Sequence, residues 1–300
     1  MTSEPIRGFV AAPFTPMHQD GSIRFDLIPR YVAHLKASGV TAIFVNGTTG
    51  EGYALCREER QAAAEAWVSE ARGSLQVIIH VGAESMADAR ALAAHAQEIG
   101  ADAVGAMPPV FFRPNVDGLV EWCRDVAAAA PDLPFYYYHI PSMTGLLVPI
   151  ASFLARAGDR IPTLRGVKYT HYDLMDFRLC ASLDGGRYDL LFGRDEILLS
   201  ALVLGARGMV GSTYNYAMPL YRQLMSLYEA GRLDEAAAAQ ERVMRMVQIL
   251  ERNGGVAAGK ALMCGTGIDV GPLRFAGARL TAEACAQAVE EARALGVYGT

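Results

Sequence analysis

Short apolar runs alternate with longer amphipathic stretches along most of the chain. Gly8 to Ala12, Thr41 to Val45, Gln76 to Val81, Ala103 to Met107, Phe135 to His139, Leu164 to Lys168, Tyr188 to Phe192 and Gly208 to Gly211 are each short and nearly continuously apolar. That pattern predicts strands buried on both faces. Between them, apolar positions recur at helical spacing: Asp26 to Ala37, Arg57 to Ala71, Met86 to Ile99, Val116 to Ala129, Val148 to Ala157, Leu174 to Leu183 and Glu196 to Leu204. Glu58, Glu59, Glu65 and Glu70 mark one wet face, and Ser85 and Gly100 bracket another helix as cap and stop. After the eighth strand the strands cease. Pro219 to Ala230, Leu233 to Arg252, Val256 to Cys264 and Ala282 to Leu295 read as helices alone.

Eight strand–helix units in succession predict a closed (β/α)8 TIM barrel of the α/β class, with a C-terminal helical extension. The expected division is a barrel over residues 1–230 and a helical subdomain over residues 231–300. The first strand is not followed by the GxGxxG of a dinucleotide fold. A formal net charge of −5 without a basic block makes nucleic acid and anionic membrane poor partners. A transmembrane run is not present, and Met1 to Phe9 lacks the apolar core of a signal peptide. Cys56, Cys123, Cys180, Cys264 and Cys285 are odd in number and widely spaced, which fits reduced thiols in a cytoplasmic protein and shows no zinc spacing. Six scattered histidines likewise give no metal motif.

A barrel carries its active site at the C-terminal ends of its strands, so the chemistry is read there. Only three lysines occur, Lys36, Lys168 and Lys260. Lys168 stands where an apolar strand runs out. It is either a strand-end lysine reaching solvent or a desolvated amine of lowered pKa, able to attack a ketone as a Schiff-base nucleophile. Asn46-Gly47-Thr48-Thr49-Gly50-Glu51-Gly52 follows strand two: either a nest of N–H and hydroxyl groups for a small carboxylate, or a tight capped turn. In Tyr136-Tyr137-Tyr138, alternation sends Tyr136 and Tyr138 to one side; a phenol at a barrel mouth can relay a proton, although strand aromatics often pack the core. Asp195 and Glu196 after strand seven either cap a helix or bind sugar hydroxyls. Ser212 lies in a further polar turn after strand eight. His171 is either a base or an exposed loop histidine.

Taken together, Gly47-Thr48-Thr49-Gly50-Glu51, Tyr138 with Pro141 three residues on, and Gly166-Val167-Lys168-Tyr169-Thr170 resemble the dihydrodipicolinate synthase / N-acetylneuraminate lyase family of class I aldolases. The resemblance runs from about Gly8 to past Ser212. It implies that Lys168 forms an imine with the C2 ketone of a 2-oxo acid, that Tyr138 shuttles the proton, and that Thr48 and Thr49 hold the carboxylate. Tyr138 to Gly145 is similar to the lyase branch. There Thr170, Gly193, Asp195, Glu196 and Ser212 match positions near the substrate or its polyol end. That implies cleavage of N-acetylneuraminate, a sialic acid, to N-acetylmannosamine and pyruvate, with no metal or organic cofactor and usually in a homotetramer. Synthases of the family usually carry an arginine where Met143 stands, and a methionine cannot bind a second carboxylate. Another 2-keto-3-deoxy sugar acid or an aldehyde–pyruvate adduct is the alternative substrate, and a 2-oxo acid sensor without catalysis is the rival from another class. Many members have a tyrosine at the position of Phe111, where it joins the proton relay across a subunit interface; Phe111 has no hydroxyl to do so.

Overall fold

The computed structural model describes residues 5–299. Residues 1–4, the start of the Met1 to Phe9 stretch weighed above as a leader, and residue 300 lie outside it. Eight strands close into a parallel barrel in sequence order. They are β1 (Gly8–Ala11), β2 (Ala42–Val45), β3 (Gln76–His80), β4 (Ala103–Ala106), β5 (Phe135–His139), β6 (Leu164–Tyr169), β7 (Asp189–Phe192) and β8 (Gly208–Gly211). β1 pairs with both β2 and β8, which closes the ring. The covering helices are α1 (Ile28–Ala37), α2 (Arg57–Ala71), α3 (Met86–Glu98), α4 (Val116–Ala127), the short α5 (Pro141–Thr144), α6 (Ile150–Ala157), α7 (Leu174–Ser182) and α8 (Leu198–Val203). Ser85 caps α3 by accepting the Asp88 N–H, and Gly100 turns the chain out of it at φ +80°.

The strands read as continuously apolar because each faces two cores. Val10, Ala42, Phe44, Ile78, Tyr136, Tyr138, Leu191 and Val210 fill the barrel interior. The alternate positions, among them Ile43, Ile79, Tyr137, Val167 and Phe192, pack outward under the helices. The Tyr136/Tyr138 versus Tyr137 split therefore follows strand alternation, with Tyr137 stacked 4.8 Å from Phe153 of α6.

One irregularity decides the chemistry. β5 and β6 pair Phe135 with Leu164 but Tyr136 with Gly166, so Arg165 is an extra residue in β6. This one-residue slip flips every later side chain of β6 to the other face. Leu164 joins the outer core, and Lys168 enters the barrel directly beside Tyr138. Gly166 makes the slip feasible: a Cβ there would lie 1.8 Å from the carbonyl oxygen of Asp189 on β7.

α9 (Met218–Glu229), α10 (Leu233–Arg252), α11 (Val256–Met263) and α12 (Ala282–Ala294) follow β8. Val243, Met246, Ile249, Leu262 and Ala288 belong to the same apolar core as the barrel's outer face. Burial of each larger side chain contributes about 1.5–3 kcal/mol. No helix among the described residues is long and apolar enough to cross a membrane.

α11 also reaches the site through a buried ion pair. The Lys260 ammonium donates to the carbonyls of Thr15 (3.0 Å) and Pro272 (2.8 Å), and Nζ lies 2.6 Å from Glu51 Oε1. The other Glu51 oxygen accepts the Arg274 N–H at 2.8 Å. Removing one partner of such a pair strands the other charge out of water. Lys260→Met is therefore expected to cost about 3–5 kcal/mol, read from the denaturation midpoint; an unchanged midpoint would show that the pair does not hold the turn at Glu51.

Candidate active site

Lys168 is 4% exposed, with Nζ 3.8 Å from the centre of the Phe44 ring and 4.0 Å from that of Tyr138. Burial lowers its pKa to about 7, against the opposing pull of the Asp195 carboxylate. A large fraction of the amine is thus unprotonated near neutrality. The Tyr138 hydroxyl lies 3.4 Å from Thr48 Oγ1, and its ring stands edge-on to Phe44 and His80. Burial raises the pKa of the phenol, while the Thr48 and Thr170 hydroxyls and the Arg194 charge pull it back.

The turn after β2 is held by residues from several elements: the loop after β1, α2 and β3. Asn46 adopts φ 59° and Glu51 φ 55°, both left-handed, and the Gly52 N–H bonds back to the Gly47 carbonyl. A Cβ on Gly52 would come within 2.0 Å of the Asn46 carbonyl oxygen. Asn46 donates its amide to the Arg60 carbonyl, and Thr15 donates its hydroxyl to Gly50 O. His80 completes the support: Nε2 accepts the Met107 N–H at 3.2 Å, so Nδ1 carries the proton and donates to Asn46 O at 3.1 Å. Buried Arg60 holds the carbonyls of His80 and Gly82. His80 and Arg60 escape the motif reading because each looks like an isolated polar residue within an ordinary strand or helix. Thr48 and Thr49 emerge from this scaffold half-buried at the rim.

The far side of the mouth carries the acids. Asp195 opens a short turn and is buried. Its Oδ2 accepts the Thr213 hydroxyl at 2.5 Å, and that hydroxyl lies 2.6 Å from Tyr221 OH. Asp195 Oδ1 and Thr170 Oγ1 are buried without a hydrogen-bond partner among the described residues. Burial raises the Asp195 pKa to about 6, partly offset by Thr213. Two glycines make the room: a Cβ on Gly193 would lie 2.2 Å from Thr170 Oγ1, and one on Gly211 2.4 Å from the Asp195 carboxylate. Gln240 of α10, which carries no motif, donates to Asp195 O and accepts the Leu199 N–H, clamping the turn from behind. Glu196 accepts the Tyr172 hydroxyl at 2.5 Å and stands 3.5 Å from Arg194. Ser212 is half-buried at the end of β8, its carbonyl accepting from Asn215.

The expected residues thus gather at one mouth. Lys168 and Tyr138 meet at its floor with Thr48, while Thr170, Asp195, Glu196, Gly193 and Ser212 lie at the ends of β6, β7 and β8. His171 does not join them: it stacks 5.5 Å from His139, whose neighbours Tyr137 and Tyr169 belong to the outer core. Phe111 is 80% exposed against Phe112 on the β4–α4 loop.

A barrel whose strand-end lysine is buried, of lowered pKa and flanked by a phenol is equipped for imine chemistry on a carbonyl compound. The model of the dihydrodipicolinate synthetase family matches residues 5–294, and the chain belongs to that family. It is 46% identical to N-acetylneuraminate lyase of Mus musculus, over 97% of this chain and 92% of that protein. The Proteus mirabilis N-acetylneuraminate lyase superposes with a TM-score of 0.95 at 43% identity, covering 98% of this chain and all of the other. The native N-acetylneuraminate lyase (sialic acid aldolase) of Aliivibrio salmonicida gives a TM-score of 0.96 at 39% identity, covering 98% of each chain.

Proposed function

We propose that this protein is a class I aldolase, a carbon–carbon lyase that cleaves N-acetylneuraminate to N-acetylmannosamine and pyruvate. The observation that carries the reading is the packing of Lys168 Nζ between the Phe44 and Tyr138 rings, in a chain closely similar to lyases of that name. The low-pKa amine attacks the C2 ketone of the open-chain sugar acid while Thr48 and Thr49 hold the carboxylate. Tyr138 gives its proton to the departing hydroxide, leaving water, an iminium and a phenolate. The phenolate takes the C4 hydroxyl proton, the C3–C4 bond breaks into the iminium, and N-acetylmannosamine leaves as the aldehyde. Tyr138 then protonates C3 of the enamine, and water releases pyruvate and restores the amine. The iminium is the electron sink of the bond-breaking step.

Asp195, Glu196, Thr170 and Ser212 take the hydroxylated end of the substrate. The buried Asp195 Oδ1 and Thr170 Oγ1 support this, since neither forms a well-aligned hydrogen bond among the described residues and each has room for a further partner. Gly193 contributes space rather than a contact. Residues 231–300 serve the site from behind in this reading, through Gln240 and Lys260. Met143 offers no charge for a second carboxylate, which disfavours the synthase reaction. The exposed Phe111–Phe112 pair fits a neighbouring subunit in a homotetramer, and the free thiols fit the cytoplasm.

Release of pyruvate from N-acetylneuraminate, followed with a coupled dehydrogenase, tests the reading. A protonated amine is no nucleophile, so kcat/KM should rise with pH through about 7, where Lys168 loses its proton, and level off above. No pyruvate release, or a profile flat from pH 5.5 to 8.5 (about the range over which an amine of this pKa would titrate), would contradict it.

A further inference from the structure

Glu196 lies at the outer edge of the mouth, yet it is not a loose surface acid. Its Oε1 accepts the Tyr172 hydroxyl at 2.5 Å and lies 3.5 Å from Arg194 Nη1. Arg194 is itself fixed on two further sides. Its guanidinium lies over the Tyr172 ring at 4.3 Å, and Nη2 donates to Ser142 Oγ at 3.0 Å. These contacts tie together the segment after β5 (Ser142 on α5), the loop after β6 (Tyr172) and the turn after β7 (Arg194 and Glu196). The side chains of Arg194 and Glu196 are only 19% and 18% exposed, so a charge-assisted contact here is less weakened by water than an ordinary surface pair. Glu196 therefore has one oxygen engaged by the protein, and its orientation is set before a ligand arrives.

We infer that Tyr172 and Arg194 are specificity-determining positioning residues: they hold Glu196 so that it reads the hydroxyls at the far end of a long-chain sugar acid. The inference rests on the function proposed above and extends it to two residues outside the reacting centre. Neither residue contacts the Lys168 amine, so losing the Tyr172 hydroxyl weakens binding of the extended substrate and spares imine formation, whereas the Arg194 charge also acts on the Tyr138 phenol. Preorganising an acceptor removes an ordering cost that a free carboxylate would incur at binding.

The test is a mutant cycle on the purified enzyme with two readouts, KM and kcat for N-acetylneuraminate and the pyruvate concentration that gives half-maximal borohydride trapping. Tyr172→Phe removes only the hydroxyl and keeps the ring under Arg194. It should raise KM for N-acetylneuraminate about tenfold, the scale of one hydrogen bond to a charged group. The kcat and the pyruvate trapping curve should stay within about twofold, because a lost binding contact leaves the chemical step alone. Arg194→Met should raise KM likewise, but only Tyr172→Phe serves as the control on kcat and trapping, because the Arg194 charge also acts on the Tyr138 phenol. In a Glu196→Gln background, Tyr172→Phe should add little further loss, since the two act through one carboxylate. The inference is overturned if both single variants keep the wild-type KM, if trapping of pyruvate falls with Tyr172→Phe, or if the Tyr172→Phe loss is fully additive with Glu196→Gln. Wild-type enzyme that releases no pyruvate from N-acetylneuraminate overturns instead the reading on which it rests.

Discussion

Lys168→Ala is expected to lower turnover of N-acetylneuraminate by roughly 10⁴-fold or more, the scale on which covalent catalysis collapses when its nucleophile is deleted. The reason is geometric as well as chemical. Lys168 is the only lysine at the mouth among the described residues: Lys260 is engaged by Glu51 and two carbonyls, and Lys36 lies on the outer helix α1. No other lysine can reach the ketone. The variant should still fold, because the amine enters a cage of aromatic rings where burial opposes its charged form. Lys168→Met, which nearly preserves the volume, guards against a cavity effect. The check is steady-state pyruvate release beside a thermal melt. Substantial residual turnover in a folded Lys168→Met enzyme would rule out the covalent route.

The second large effect belongs to Tyr138. Tyr138→Phe keeps the ring beside Lys168 and against Phe44 but removes the phenol placed against the amine. Loss of a positioned proton donor and acceptor costs about 10²–10⁴-fold. That loss should fall on kcat, with KM for N-acetylneuraminate changed little, since the hydroxylated end of the substrate is held elsewhere. Imine formation with pyruvate should be slowed and still detectable as a borohydride adduct, because the amine remains. Equal losses in adduct yield and turnover would mean that Tyr138 maintains the lysine pocket rather than moving protons. Phe111 sharpens this prediction. With no hydroxyl at that position, Thr48 at 3.4 Å is a hydroxyl within reach of the Tyr138 proton.

The architecture was largely legible because each strand is apolar on both faces and each helix on one, so the alternation of periods survives in the sequence. The bounds of β5, β8, α2 and α10 follow directly from the apolar runs, and others differ by a residue or two, as frayed ends do. The short helix Pro141–Thr144 leaves no mark in the pattern, since four residues carry no helical period. More consequential was the bulge at Arg165. Plain alternation puts Leu164, Gly166 and Lys168 on one face, whereas the structure turns Leu164 outward and Lys168 inward. Nothing in the local pattern reveals the slip; the close approach of Gly166 to Asp189 appears only when β7 is in place.

The reacting residues stood out because lysines are scarce and the threonine and glycine turn is distinctive. Their supports did not. His80, Arg60, Gln240, Tyr172 and Arg194 act through backbone carbonyls or through another side chain, and most of their partners lie 20 or more residues away in the chain. Gly193 and Gly211 were legible as small residues near the mouth, but their reason for being small is the volume taken by Thr170 and Asp195.

The central claim, that Lys168 carries the substrate's pyruvyl part through bond cleavage, has one direct test. The enzyme is incubated with N-acetylneuraminate, quenched with borohydride, digested and mapped by mass spectrometry. The account predicts a reduced pyruvyl group on the peptide containing Lys168, formed from a substrate that never contained free pyruvate. An unmodified Lys168 peptide during active turnover, or an adduct on a different residue, would contradict it.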